Sequence, residues 1–478
     1  MKDILEIIEK KPIQVIIGLL VFHVITSCIV SWITYSPYFT GFHNGNGLWN
    51  FSRDSTLYHS EAIELVDSIR EGNWGKWLNL YSMHAHVKWL ALIYWIFDEA
   101  NPLLFEFINS VVWVASVVSL YLSARILFNS KTVVAGWVSL FLFFPTVLLS
   151  STQLLRDPFY ILGFCVVTLG WIMICRDEFK WKGAFAIIVG YYLIVSIRAY
   201  IVPILLPVFF VCTIIFLFRK RSFLLPVITM LIGIFFISFF GDMSKRIGTH
   251  LFHDTDRNLF VKIEEDKLRM TVEKSGQRSK NARQREIVRK IKLKREELLA
   301  ENIKNEDEGI VNYLNEKLAI RFSIMRYGFK LTNRGAGSSI DENIIFKDYK
   351  ELFLYFPRAV QIGFFSPFPN FWISPGVETG YLGRILAGLE TLIGYLIFVG
   401  FFTVLILENK ILKPVAPVLI IAAIVIVLLG FVVSNVGAIY RMRQGLFIPY
   451  FIIGVYGLNM LFTRVRNFLS SHEFRNPV

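Results

Sequence analysis

The chain has 478 residues, 54% of them hydrophobic and 18% charged, with a formal net charge of +13. So large an apolar share excludes an ordinary soluble globular protein. In a soluble chain the positive balance would suggest nucleic acid. Here the basic residues gather in short turns between apolar runs and in one insertion, as positive-inside bias requires, and no nucleic-acid partner is implied.

In chain order, residues 1–12 place Ile4, Leu5, Ile7 and Ile8 on one side of a short helix suited to a membrane surface. Apolar runs long enough for a bilayer core of about 30 Å follow. They read as spans at 13–34, 104–127, 131–150, 158–175, 183–200, 201–218, 223–241, 384–407, 414–433 and 445–462. The first run is long, and no small-x-small site follows it before Tyr35, so it reads as a retained span. The fold class expected is an all-α polytopic membrane protein with about ten transmembrane helices, juxtamembrane helices at the outer face and a charged helical insertion.

Orientation comes from the short basic turns. Arg125 and Lys131, Arg176 with Lys180 and Lys182, Arg219 to Arg221, Lys410 with Lys413, and Arg464 with Arg466 all fall inside if the N-terminus is cytoplasmic. Two further apolar stretches are not spans on this reading. The run 87–97 is too short, and 352–372 carries Arg358, Pro357, Pro367 and Pro369. Both are expected as outer-face helices or re-entrant pieces. The outer face then carries 35–103, 151–157, 242–383 and 434–444. The chain divides into an N-terminal membrane module (1–241), an outer insertion (242–383) and C-terminal helices with a tail (384–478). Lys/Arg-rich 278–304 is expected as one exposed helix. Cys28, Cys165, Cys175 and Cys212 lie in or beside apolar runs, so neither a disulfide nor a metal cluster is expected.

The outer segments hold the residues that could carry chemistry. FSRDSTLYHSEA, residues 51–62, places Asp54 just before a helix starting near Ser55 or Thr56, where it could equally be a cap. Arg53, Tyr58 and His59 flank it. STQLLRD-P places Arg156 and Asp157 at the mouth of a span, and Asp157 too could be a cap before Pro158. Transfer of a sugar to a hydroxyl or amine needs a carboxylate to take the acceptor proton. Arg198 ends its span, where snorkelling would also explain it. Arg441 and Arg443 break the positive-inside pattern and suit a lipid phosphate, because Arg offers a rigid charged fork. His59, His84 and His86 do not have a metal-ligand spacing, so no metal is expected.

The order of these pieces resembles the GT-C superfamily of membrane glycosyltransferases, which includes protein O-mannosyltransferases and the aminoarabinose transferase of lipid A. The resemblance rests on RDSTLYH, NPLLFEFINSVVWVASVVSLYLSARILF, FFPTVLLSSTQLLRDPFYILGF and NVGAIYRMRQGLFIPYFIIGVYGL. SPFPNFW and GRILAGLETLIGY look like uncharacterised bacterial proteins of polysaccharide gene neighbourhoods. The resemblance implies an outer-face cavity in a bacterial inner membrane. It would take a polyprenyl-phosphate sugar donor and a glycan, lipid or protein acceptor, with membrane lipid around it and no cofactor. It makes Asp54 the base, Asp157 a second acid, and Arg441 or Arg443 a phosphate ligand. Arg53, Tyr58, His59, Arg156 and Arg198 would complete the substrate site. The insertion is internal, whereas the family often carries a C-terminal soluble domain. Two rivals remain: a polysaccharide polymerase or ligase using a lipid-diphosphate glycan, and a transporter. Few charges fall within the spans, which counts against transport.

Overall fold

The computed structural model describes residues 10–78, 84–129, 132–176, 180–198, 310–332, 337–376 and 379–473, with scattered helical positions between 286 and 297. The first part contains α1 (Pro12–Thr34), α2 (Arg53–Arg70), α3 (Trp74–Leu78), α4 (Ala85–Phe97) and α5 (Leu103–Leu127). Next come α6 (Thr132–Ser139), α7 (Pro145–Ser151), α8 (Asp157–Cys175) and α9 (Lys180–Ile197). After the insertion come α10 (Ile310–Thr332), α11 (Tyr349–Phe365), α12 (Pro369–Trp372), α13 (Gly380–Leu407), α14 (Ala416–Val432) and α15 (Val436–Glu473).

α1, α5, α8, α13 and residues Val436–Ser470 of α15 are long and apolar enough to cross a bilayer. Residues 133–143 and α7 form a sixth candidate, a broken span bent by 62°. Trp181–Ile197 and α14 are shorter apolar helices. The chain is an all-α polytopic membrane protein.

Several elements differ from expectation. The run 131–150 is not one straight helix. Leu140–Phe143 tightens to a 3-10 turn and α7 restarts at Pro145, whose missing N–H suits a helix start. α15 begins at Val436, so Arg441 and Arg443 sit in its first two turns rather than in a loop. α11 runs through Pro357 without a break and ends at Ser366, before Pro367 and Pro369. The expected spans 201–218 and 223–241 lie outside the described residues, as does most of 278–304.

The chain separates into two compact units. One comprises residues 1–215, 368–423 and 441–478; the other comprises 216–367 and 424–440. In the first, α8 and α9 pack antiparallel along a glycine seam. A Cβ on Gly170 would lie 2.6 Å from the Gly183 carbonyl oxygen, and one on Gly190 would lie 2.7 Å from that of Gly163. Lipid supplies no hydrophobic drive between helices, so close backbone approach through small residues holds such pairs. α13 and α15 meet the same way, with a Cβ on Gly400 falling 2.0 Å from the Gly454 carbonyl oxygen.

α1 reverses the soluble pattern. Its buried residues are His23, Ser27, Val30, Ser31 and Thr34, while Ile13, Val21, Phe22 and Ile25 are exposed. His23 is held by Ser110 (2.8 Å) and Ser151 (2.7 Å). Helices α2 and α4 share an ordinary core: Tyr58, Ala62, Leu65 and Val66 pack against Val87, Leu90 and Tyr94. Fully burying a side chain such as Leu65 or Leu90 contributes about 1.5–3 kcal/mol. This small core seats the start of α2 and thereby Asp54.

In the second unit, Arg326 is fully buried and donates to the carbonyls of Ile340 (3.1 Å), Asp341 (2.9 Å) and Phe431 (2.8 Å). It thereby caps the C-terminal carbonyls of α14. Asp341 in turn accepts from Tyr355 and Arg358, both at 2.9 Å. Burial raises the Asp341 carboxyl, but these bonds and the two guanidinium charges outweigh it and hold it below the usual range. Arg358, counted above as a barrier to crossing, is therefore half of an ion pair.

Candidate functional site

Two helix termini in the first unit carry charges that suit their dipoles. Asp157 is the first residue of α8, ahead of Pro158, and an acid is favoured at a helix N-terminus. Arg198 directly follows α9, donating its backbone N–H to Ile194 O at 2.8 Å, and a cation is favoured there. The glycine seam fixes the register that brings the two together. Arg198 Nη2 donates to Asp157 Oδ1 at 2.6 Å, with both side chains 1–2% exposed. Its guanidinium also lies 4.4 Å from the Tyr160 ring centroid.

Arg441, in the second turn of α15, completes the chain of charges. Its Nε pairs with Asp157 Oδ2 at 3.1 Å, and its Nη2 donates to Asp54 Oδ2 at 2.5 Å. Exposure rises outward along the chain, from 2% for the Asp157 side chain to 31% for Arg441 and 39% for Asp54. The quartet of two carboxylates and two guanidiniums is formally neutral. It has a dry inner end and a wet outer end.

A polar buttress sets where Asp54 stands. Gln153 is 2% exposed, and its side-chain oxygen accepts from Trp49 N–H and from Ser52 Oγ, each at 3.0 Å. Ser52 is the residue before α2. The Gln153 carbonyl accepts from Asn109 at 3.0 Å, and Asn109 also reaches the buried Glu106 carboxyl at 3.3 Å. The segment 153–157 therefore fixes both the Asp54 loop and the arginine opposite it.

Beside Asp54, the Tyr58 ring stands edge-on between His84 (5.0 Å) and His86 (4.4 Å). Burial pushes the Tyr58 phenol up, against the nearby Arg156 charge. His84 meets Glu61 at 2.6 Å. His86 is 1% exposed, and neither ring nitrogen has a partner among the described residues. Burial, with His84 and Arg156 adding to it, holds its imidazole well below the ordinary range and so neutral.

The structure thus brings Asp54, Asp157, Arg198 and Arg441 together, with Tyr58 and Arg156 close by. Other singled-out residues are placed elsewhere. His59 turns to Tyr94 Oη at 2.8 Å. Arg443 is 4% exposed and lies over Phe447, 4.7 Å from its ring centroid, on a different side of α15 from Arg441. Arg53 opens α2, but its side chain lies outside the described part. Asp54 is not the cap of α2, because the helix begins one residue earlier and the carboxylate faces Arg441. Among the described residues, no cluster of three or more His, Cys, Asp or Glu could hold a metal ion.

The sequence reading missed Gln153, Glu106 and Glu390, and weighed His86 only as a metal ligand. Glu390 lies within α13 and accepts from Thr146 N (2.8 Å) and Thr146 Oγ1 (2.5 Å), so it caps the start of α7 at the break in that span. Lone acids inside apolar runs are costly in lipid unless satisfied, and that signal was present in the sequence at both Glu106 and Glu390. No family model, curated protein or solved structure matches the chain.

An arginine anchored from behind, with an outward-facing corner on a partly exposed carboxylate, can do two things chemically. It can hold a phosphate oxygen, and it can hold a base ready beside that phosphate.

Proposed function

We propose that the chain is a GT-C-type glycosyltransferase acting at the outer face of a bacterial cytoplasmic membrane. The donor is a polyprenyl-phosphate-linked sugar and the acceptor is a glycan, lipid or protein. The observation that supports this best is the Asp54–Arg441–Asp157 chain, because it pairs a base candidate with a phosphate ligand. In the reaction, the acceptor oxygen attacks the anomeric carbon while its proton passes to Asp54. The bond from that carbon to the phosphate oxygen breaks, its electron pair leaves on the lipid phosphate, and configuration inverts. Arg441 stabilises the charge that grows on the departing oxygen. Asp157 and Arg198 are too buried to meet substrate, so they act as positioning residues for Arg441.

The test is turnover of synthetic polyprenyl-phosphate sugars by the purified protein in lipid nanodiscs. Asp54→Asn is expected to lower the rate by about 10²–10⁴ while donor binding persists. Near-normal turnover would rule out the base. The transporter reading has one observation in its favour, the ionisable His23, Glu106 and Glu390 within spans. It predicts a glycolipid that crosses the bilayer chemically unchanged.

A further inference from the structure

The guanidinium that would hold the donor phosphate is the same one that holds the base. Its two carboxylate partners differ in kind. Asp157 is 2% exposed, doubly paired and fixed at the start of α8, so it cannot follow a moving arginine. Asp54 is 39% exposed and meets Nη2 of Arg441, whose side chain is 31% exposed. An incoming anion therefore meets the Asp54 end of the chain first, and the Asp157 end cannot yield to it.

We propose that Arg441 is a phosphate-operated latch on Asp54. A lipid-linked phosphate group, the diester of the donor or the monoester of the product, takes over the outer edge of the Arg441 guanidinium and displaces the Asp54 carboxylate, which is thereby released to take a proton. Arg441 stays in place because Asp157 holds its Nε. No charge is left stranded, since the phosphate brings the anion that Asp54 withdraws. A phosphate diester-like donor brings less charge than a monoester and exchanges less completely, so the product lipid phosphate is the stronger competitor. This rests on the function proposed above and assigns an order to it: donor binding precedes activation of the base, so an acceptor arriving alone meets a latched carboxylate. The exchange is an ion-pair substitution, and no covalent bond changes in it.

The latch is read by chemical labelling of Asp54. The wild-type protein in nanodiscs is treated with a water-soluble carbodiimide and an amine, and modification at Asp54 is quantified by peptide mass spectrometry. Two probes are added in separate arms, inorganic phosphate and a short isoprenyl monophosphate, with binding of each followed independently by native mass spectrometry. Bound phosphate is expected to raise Asp54 labelling about tenfold, the effect of losing one charge-assisted hydrogen bond. A response to both probes supports a latch worked by the phosphate group alone. A response to the isoprenyl phosphate only supports one that also needs the lipid chain. Arg441→Gln should label strongly with no ligand and show no response to either probe; should this variant fail to fold, the wild-type arms still decide. Binding of the isoprenyl phosphate with unchanged or reduced labelling overturns the latch and leaves the proposed function standing. Absence of binding of either probe overturns both.

Discussion

At the residue scale, Asp54 and Asp157 carry the same functional group but have different consequences when removed. Asp157 is paired with two guanidiniums, Arg198 on one oxygen and Arg441 on the other, at a side-chain exposure of 2%. Asp157→Ala would remove the buried carboxylate that Arg198 pairs with in a dry site, at a cost of about 3–5 kcal/mol. Thermal unfolding of the detergent-solubilised protein should show a large loss of stability for Asp157→Ala and for Arg198→Ala. Asp54→Asn should be nearly silent in the same assay, because that pair is exposed to water and worth about 0–1 kcal/mol. Equal losses for the two aspartates would contradict the inner-and-outer ordering of the quartet. The residue types of this cluster were legible in the sequence, since Asp157, Arg198 and Arg441 are charges at the ends of apolar runs and Asp54 lies in the first outer loop. Their division into a buried anchor and an exposed partner was not, because it depends on how far each helix end projects. Arg441 and Arg443 illustrate the limit. They are equivalent in the string RMRQG, yet two residues of helix turn them to different sides of α15, one to Asp54 and the other to Phe447.

At the element scale, the position of Arg198 is set by glycines well away from it. Gly163 and Gly170 on α8, and Gly183 and Gly190 on α9, are spaced by two helical turns on each helix, so they line one face. The seam sets the register that lets Asp157 at the start of α8 meet Arg198 at the end of α9. Gly170→Leu would drive a side chain into the Gly183 carbonyl and force the helices apart. Expected outcomes are aggregation or a strongly lowered unfolding temperature, whereas Gly394→Ala should be tolerated because its Cβ would meet only Phe447 at 3.9 Å. Comparable stability of the two variants, followed by fluorescence-detected size exclusion, would show that the seam does not hold the pair. A milder change tests the other side of the site. Gln153→Ala removes the acceptor of Trp49 N–H and Ser52 Oγ. It should lower turnover more than donor binding, because it loosens the base and leaves Arg441 in place. The heptad spacing of the glycines could be read from the sequence, and so could the apolar runs. The break in the span at Phe144 and Pro145 was misread as a continuous helix, because hydropathy does not change across it. What changes is the partner, a buried glutamate contributed from a distant helix.

At the scale of the whole molecule, the ion pair between Asp54 and Arg441 constrains topology. Residues in direct contact lie on one face of the bilayer, so the chain between them crosses an even number of times. The sequence reading has eight spans in that interval, and α11 is not one of them. Inside the second unit, Ile340 N donates to Ser434 O at 3.0 Å and Val436 N to Ser338 O at 2.9 Å, which puts residues 338–340 on the same face as the start of α15. Had α11 crossed as an additional span, Asp54 and Arg441 would be separated by a bilayer. The expected arrangement is testable with single cysteines at exposed positions in a background lacking Cys28, Cys165, Cys175 and Cys212. Asn46→Cys, Asn343→Cys and Gly437→Cys should all react with a membrane-impermeant thiol reagent in intact cells. Lys410→Cys and Asn467→Cys should react only after permeabilisation, because α14 crosses once after Lys410 and α15 crosses once before Asn467. The five basic turns predict which face is which, and the ion pair predicts which residues share a face, so the two arguments can fail separately. Labelling of all three outer positions only after permeabilisation would reverse the orientation and move the proposed chemistry to the cytoplasm. Labelling of Asn46→Cys in intact cells with protection of Gly437→Cys would break the quartet itself, and with it the pairing of a base with a phosphate ligand on which the enzymatic reading depends.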